Sequence, residues 1–178
     1  MAAKRSVGLV LAMALAGGIT AAGADAIGDN NICYAQFAAG DYPAAIDYCT
    51  RAIDSGELGT DDLVTALLNR GVAYKSTRDY ERAIADYTEA LRLAPEDALL
   101  YQNRANAYRE KGNIAPALAD IEKSIALNPD SAGAWYVRGA LAEALGNGTV
   151  ARRYYMTALG LDPDNETYRN KAFGRGAR

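Results

Sequence analysis

The chain has 178 residues, half of them hydrophobic and 23% charged, with a formal net charge of −3. That is an ordinary globular composition, and 22 acids against 19 bases argue against a nucleic-acid partner, whose binding domain would be basic. The absence of histidine removes the commonest general base and metal ligand, and two cysteines are too few for a cysteine-only zinc site, so neither a metal nor a cofactor is expected.

The amino terminus reads as an address. Lys4 and Arg5 precede the apolar run Val7 to Ile19, and small residues then lead to Ala24-Asp25-Ala26. A basic start, an apolar centre and an A-x-A site make the pattern of a secretory signal peptide. Residues 1–26 are assigned to it, with cleavage after Ala26. An uncleaved anchor is the alternative, but the run contains Gly8, Gly17 and Gly18, and glycine weakens a helix. No stable membrane anchor is expected after cleavage.

Residues 27–62 form a divergent first unit. Asp41-Tyr42-Pro43-Ala44-Ala45-Ile46 parallels Asp79-Tyr80-Glu81-Arg82-Ala83-Ile84 at a spacing of 38. The extra residues fall in Ser55 to Asp62, which reads as an exposed loop. Over residues 63–163 three segments then superimpose without gaps. Leu67, Tyr101 and Trp135 are 34 apart, as are Gly71, Ala105 and Gly139, Ala83, Ala117 and Ala151, and Pro95, Pro129 and Pro163. Small residues at fixed places let two helices approach. Tyr74, Tyr87, Tyr108, Ile121 and Tyr155 fill the space between helices. Each proline ends a helix, because it lacks a donor and restricts the residue before it. Asp79, Asn113 and Asn147 sit where the second helix of each unit begins, as good N-caps. After Pro163, Glu166 to Phe173 is expected to form a capping helix, and Gly174 to Arg178 a disordered tail, together residues 164–178.

This pattern of large, small, aromatic, Ala, aromatic and Pro over 34 residues resembles the tetratricopeptide repeat. The resemblance covers about Asn30 to Pro163. It implies an all-α fold, a helix-turn-helix tetratricopeptide solenoid wound as a right-handed superhelix of seven or eight antiparallel helices without strands. Each unit then packs only on its neighbours.

Cys33 and Cys49 lie eight residues on either side of Asp41, at the turn of the first hairpin. Antiparallel helices rising 1.5 Å per residue put both about 12 Å from the turn, within reach of a disulfide if both face inward. An exported protein meets an oxidising compartment. Two buried free thiols are the plainer alternative.

Catalytic chemistry is not expected. Serine and cysteine nucleophiles need an adjacent base, and Asp61-Asp62 reads as a solvated pair. Gly146-Asn147-Gly148 lacks the strand-to-helix context of a phosphate loop. Arg70, Arg104 and Arg138 recur at the repeat period, accompanied by Asp86 and Asp120. They read as inter-helix ion pairs that set register, in preference to a basic stripe for an acidic ligand.

In the resembled family the first helices line an inner groove that takes peptides. Repeat counting then nominates Asn69, Val72, Lys75, Gln102, Asn103, Asn106, Arg109, Tyr136 and Glu143. Asn69 and Asn103 stand where family members hold a peptide backbone, since an amide offers both donors and an acceptor. The lysine, arginine and asparagine clamp for a chaperone carboxyl terminus is missing: Leu68, Val72, Gly133 and Val137 replace it, and only Asn103 matches. The expectation is a non-catalytic, periplasmic or secreted module with a protein or peptide partner, with a self-associating envelope component as the alternative. Trp135, Tyr136, Tyr154 and Tyr155 would then form the homo-oligomer surface.

Overall fold

The computed structural model describes residues 21–174, with side chains from Ala26 onward. The apolar run Val7 to Ile19 and the last four residues of the expected tail lie outside them. Nine helices and no strands occur among the described residues: α1 (Ala21–Ala39), α2 (Tyr42–Asp54), α3 (Thr60–Ser76), α4 (Tyr80–Leu93), α5 (Ala98–Lys111), α6 (Ile114–Leu127), α7 (Ala132–Ala144), α8 (Gly148–Leu161) and α9 (Glu166–Phe173). Consecutive helices pair as four hairpins, and α9 packs on α8. The count exceeds the expected seven or eight because the capping helix adds to eight hairpin helices. The expected cleavage point after Ala26 falls inside α1, and Ala26 itself is buried.

The punctuation follows local chemistry. The Asp41 and Asp79 carboxylates accept from the Ala44 and Arg82 amides at 3.2 and 3.1 Å, satisfying donors that a helix start leaves open. Asn113 and Asn147 occupy the same N-cap place but make no side-chain cap bond. The expected loop from Ser55 to Asp62 is shorter than read: Thr60, Asp61 and Asp62 form the first turn of α3, where acids favour the positive helix end. α4, α6 and α8 end at Leu93, Leu127 and Leu161, each two residues before the periodic proline. The hairpin turns place Gly40, Arg78, Gly112 and Gly146 at positive φ, with Arg78 at 65° as the one non-glycine.

One contact repeats through the core. A Cβ built on Gly71 would stand 2.6 Å from the Tyr87 ring, and one on Gly139 would stand 2.6 Å from the Tyr155 ring. Between them Ala105 faces Ile121, and both are fully buried. An aromatic partner therefore goes with glycine, and a narrower Ile admits alanine. All three pairs are separated by 16 residues. Cys33 and Cys49 are also 16 apart, and they form a disulfide. The bridge occupies the first unit's version of the same small-to-large contact, which fixes the register of α1 against the other first helices.

Candidate functional site

The first helices α1, α3, α5 and α7 touch one another in succession, whereas alternate second helices make no comparable contact. The first helices are thus the inner layer, and their free sides form one continuous inner face.

The sequence-nominated residues divide on this face. Asn69 is only 6% exposed, and its Nδ2 has no hydrogen-bond partner. The half-exposed Asn103 donates through Nδ2 to Leu99 O of its own helix at 3.0 Å. The expected ladder of two free amides is therefore absent. α1 packs more extensively on α3 than α3 does on α5, and Asn69 lies on the more covered of the two helices.

Gln102 accepts from Ser131 Oγ at 2.8 Å and lies against Gly133, whose missing Cβ leaves room for the amide. Asn106 Oδ1 accepts from Arg109 Nη2 at 2.7 Å and Nε at 3.1 Å, and Arg109 also reaches Glu110 at 3.1 Å. Tyr136 packs between Tyr155 and Tyr168, with ring centroids 5.5 and 5.2 Å away. Glu143 accepts from the Tyr155 hydroxyl at 2.6 Å and from Lys171 Nζ at 2.7 Å. Lys171, then Tyr155, hold the Glu143 carboxyl below its ordinary value by hydrogen bonding to its charged form. Burial lowers the Lys75 ammonium, against the opposing charge of Glu110 and with the like charge of Arg109. Lys75, Arg109 and Glu143 are spaced 34 apart and so share one line on the inner face.

Sequence reasoning missed what α1 and α9 add. The cysteine register places Ile27, Asn30, Tyr34 and Phe37 of α1 on the inner face, equivalent to Thr65, Leu68, Val72 and Lys75. The signal was available, since the cysteines share the 16-residue spacing of Gly71 and Tyr87. The role of α9 is also periodic. Tyr101 Oη and Trp135 Nε1 donate to the Pro95 and Pro129 carbonyls at 3.2 and 2.7 Å, and Arg169 Nη2 donates to the Pro163 carbonyl at 2.6 Å. α9 thus takes the place of the first helix of a fifth unit.

The recurrent arginines are structural, as expected. Arg70 and Arg104 each grip an aspartate of their own unit with two bonds, at 2.9 and 2.7 Å to Asp86 and 2.7 and 2.8 Å to Asp120. Each also reaches back to the preceding unit, to Thr50 and Thr88 at 3.1 Å. Tyr154 stands where the third aspartate would be. Arg138 lies over that ring at 5.2 Å and takes its carboxylate from Glu122 of the preceding unit at 3.0 Å. The arginine therefore keeps a counter-charge in each of the three units that carry it. Trp135, nominated for self-association, stacks on Tyr154 within the same hairpin, with centroids 5.8 Å apart. Among the described residues no cluster of three acidic, cysteine or histidine side chains can hold a metal, and no helix is long and apolar enough to cross a membrane.

Models of the tetratricopeptide repeat match residues 64–97 and 103–166, together more than half of the chain. The chain belongs to the tetratricopeptide repeat family.

Solved structures agree. The first repeat domain of Spaghetti (RPAP3), bound to the HSP90 peptide SRMEEVD, is 31% identical with a TM-score of 0.57, over 61% of this chain and 86% of that one. The second repeat domain of human RPAP3, in complex with the HSP70 peptide SGPTIEEVD, is 29% identical with a TM-score of 0.58, over 64% and 95%. MamA is 20% identical with a TM-score of 0.68, over 84% and 80%, and shows the fold alone. No curated protein sequence matches significantly.

Proposed function

We propose that the protein is a non-catalytic interaction module whose inner face binds a peptide or helix of a partner protein. The observation that carries this reading is the inner line of polar and charged side chains, Lys75, Asn106, Arg109 and Glu143, which a periodic scaffold sets along one face. Peptide binding by the RPAP3 repeat domains supports it. The ligand differs in kind from theirs, because Leu68 and Val72 stand where the clamp for a chaperone carboxyl terminus requires polar and basic groups.

The signal-like amino terminus and the disulfide support an exported protein, periplasmic or secreted, because such bridges persist in oxidising compartments. Edman sequencing of protein recovered from the envelope fraction tests this; an intact Met1 would overturn it. For the groove, a pull-down compares the protein with an Asn106→Ala, Arg109→Ala variant of unchanged helix content. A partner lost by the variant supports inner-face binding, and a partner held equally by both moves the site elsewhere. A second reading, self-association, is favoured by exposed Met156, Leu161 and Phe173 at the carboxyl-terminal end. Light scattering tests it, and a strict monomer would remove it.

A further inference from the structure

The inner face changes chemistry along its length. On the α1 side Ile27 and Tyr34 are 57% and 61% exposed, and Phe37, Leu68 and Val72 are half-buried. From α5 onward the face is charged, but each of its cations is engaged: Arg109 with Glu110 and Asn106, and Lys171 with Glu143. Lys75 stands at the join and differs from both. It is half-buried and takes part in none of the ion pairs among the described residues, although Glu110 acts on it electrostatically. A partly desolvated ammonium without a bonded counter-ion is costly, so a carboxylate arriving there recovers free energy that water no longer supplies. Val72 precedes Lys75 on α3 by three residues, which makes the two neighbours on one side of the helix.

We infer, resting on the inner-face reading above, that the groove receives a segment of another protein that lays a bulky apolar side chain over Tyr34 and Val72 and sets an aspartate or glutamate on Lys75. Neighbouring packed helices lie roughly 8–10 Å apart, and an extended chain advances about 3.3 Å per residue. The apolar anchor and the acid are therefore about three residues apart in the ligand. This acid is an internal side chain, which distinguishes the ligand from a free carboxyl terminus.

The test begins with random peptides displayed on phage and selected on the disulfide-bonded protein. Enriched sequences should pair a bulky apolar residue with an acid about three positions away. One such peptide, made with a fluorescent label, is then titrated by anisotropy. Lys75→Met should weaken it about tenfold, Lys75→Arg should keep most of the affinity, and Tyr34→Ser should weaken it by a similar factor. Replacing the peptide's acid by its amide should cost as much against the native protein and nothing further against Lys75→Met, which a merely structural lysine would not reproduce. Unchanged circular dichroism of each variant excludes misfolding.

Selected peptides without an acid, or an affinity indifferent to Lys75→Met, would overturn this inference. If Asn106→Ala, Arg109→Ala still abolished binding, the broader groove reading would survive. Indifference to both sets, or no enrichment at all, would overturn the two together. Binding seen only after residues 1–26 are removed would give the groove to the chain's own amino-terminal segment, and a dimer dispersed by Tyr34→Ser would give it to a second copy. Either result overturns the inference.

Discussion

The pairing of Gly71 with Tyr87 offers the sharpest test of how this chain packs. In Gly71→Ala the new Cβ would lie 2.6 Å from Tyr87 Cε1 and 3.0 Å from Cδ1 and Cζ. The ring is fully buried, so it cannot swing into solvent. Overpacking of this kind costs about 1–3 kcal/mol, while exchanging glycine for alanine within a helix returns roughly 0.5–1 kcal/mol. The net expectation is a loss of about 1–2 kcal/mol. Tyr87→Ile alone leaves a cavity but removes a buried hydroxyl that has no partner. It should lose about 1–2 kcal/mol, since an unsatisfied buried group itself costs about that much. The double variant recreates the Ala105–Ile121 pair of the next unit. Its loss should fall short of the summed single losses by about 1 kcal/mol or more, well beyond the roughly 0.3–0.5 kcal/mol within which independent sites add. Urea unfolding of the four proteins, followed by circular dichroism, measures the cycle. Additive losses would refute the claim that ring width decides where this solenoid needs glycine.

Other outcomes follow from the same structure. Cys33→Ala, Cys49→Ala should lower stability by about 3 kcal/mol, the loop-closure value for a bridge of this span, and the untreated protein should show no free thiol when denatured. Asp86→Asn should cost about 3–5 kcal/mol, because it strands a buried arginine; Arg70 and Asp86 are 14% and 8% exposed in their side chains. Glu122→Gln, whose carboxylate is 63% exposed, should change stability by less than about 0.5 kcal/mol. Arg78→Gly should stabilise by about 0.5–1 kcal/mol, since Arg78 alone holds a positive φ where the other hairpins use glycine. Glu143 titrates below its ordinary value of 4.5, so its contribution is complete above that value and is lost as pH falls through the lower folded value. α9 should therefore loosen in acid, and Glu143→Gln should loosen it at neutral pH, read as faster tryptic cleavage at Arg169 and Lys171.

Much of this architecture was legible in the residues. The 34-residue period placed the helices of the later units and the proline stops, because those positions answer local and nearest-neighbour demands. Arg70 with Asp86 and Arg104 with Asp120 could be paired by their common spacing. The disulfide was readable from the symmetry of Cys33 and Cys49 about the turn. The candidate site was less legible. Asn69 and Asn103 carry the same side chain at the same repeat position, yet one is buried with a vacant donor and the other bonds its own helix. That difference depends on how far the preceding helix covers each position, which composition and spacing do not encode.

The sequence by itself determined the helices, their order, the small-to-large contact at each hairpin and the counter-charges of Arg70 and Arg104, all within a span of 16 to 34 residues. Only the tertiary structure decided which polar groups reach the inner face with their hydrogen-bonding capacity unused. It also decided that Ile27 and Tyr34 of α1 stay exposed on that face, and that Lys75 joins none of the ion pairs among the described residues although Glu110 acts on it. Those properties belong to the stacking of one unit on the next, because burial and pairing are set by what arrives from another part of the chain.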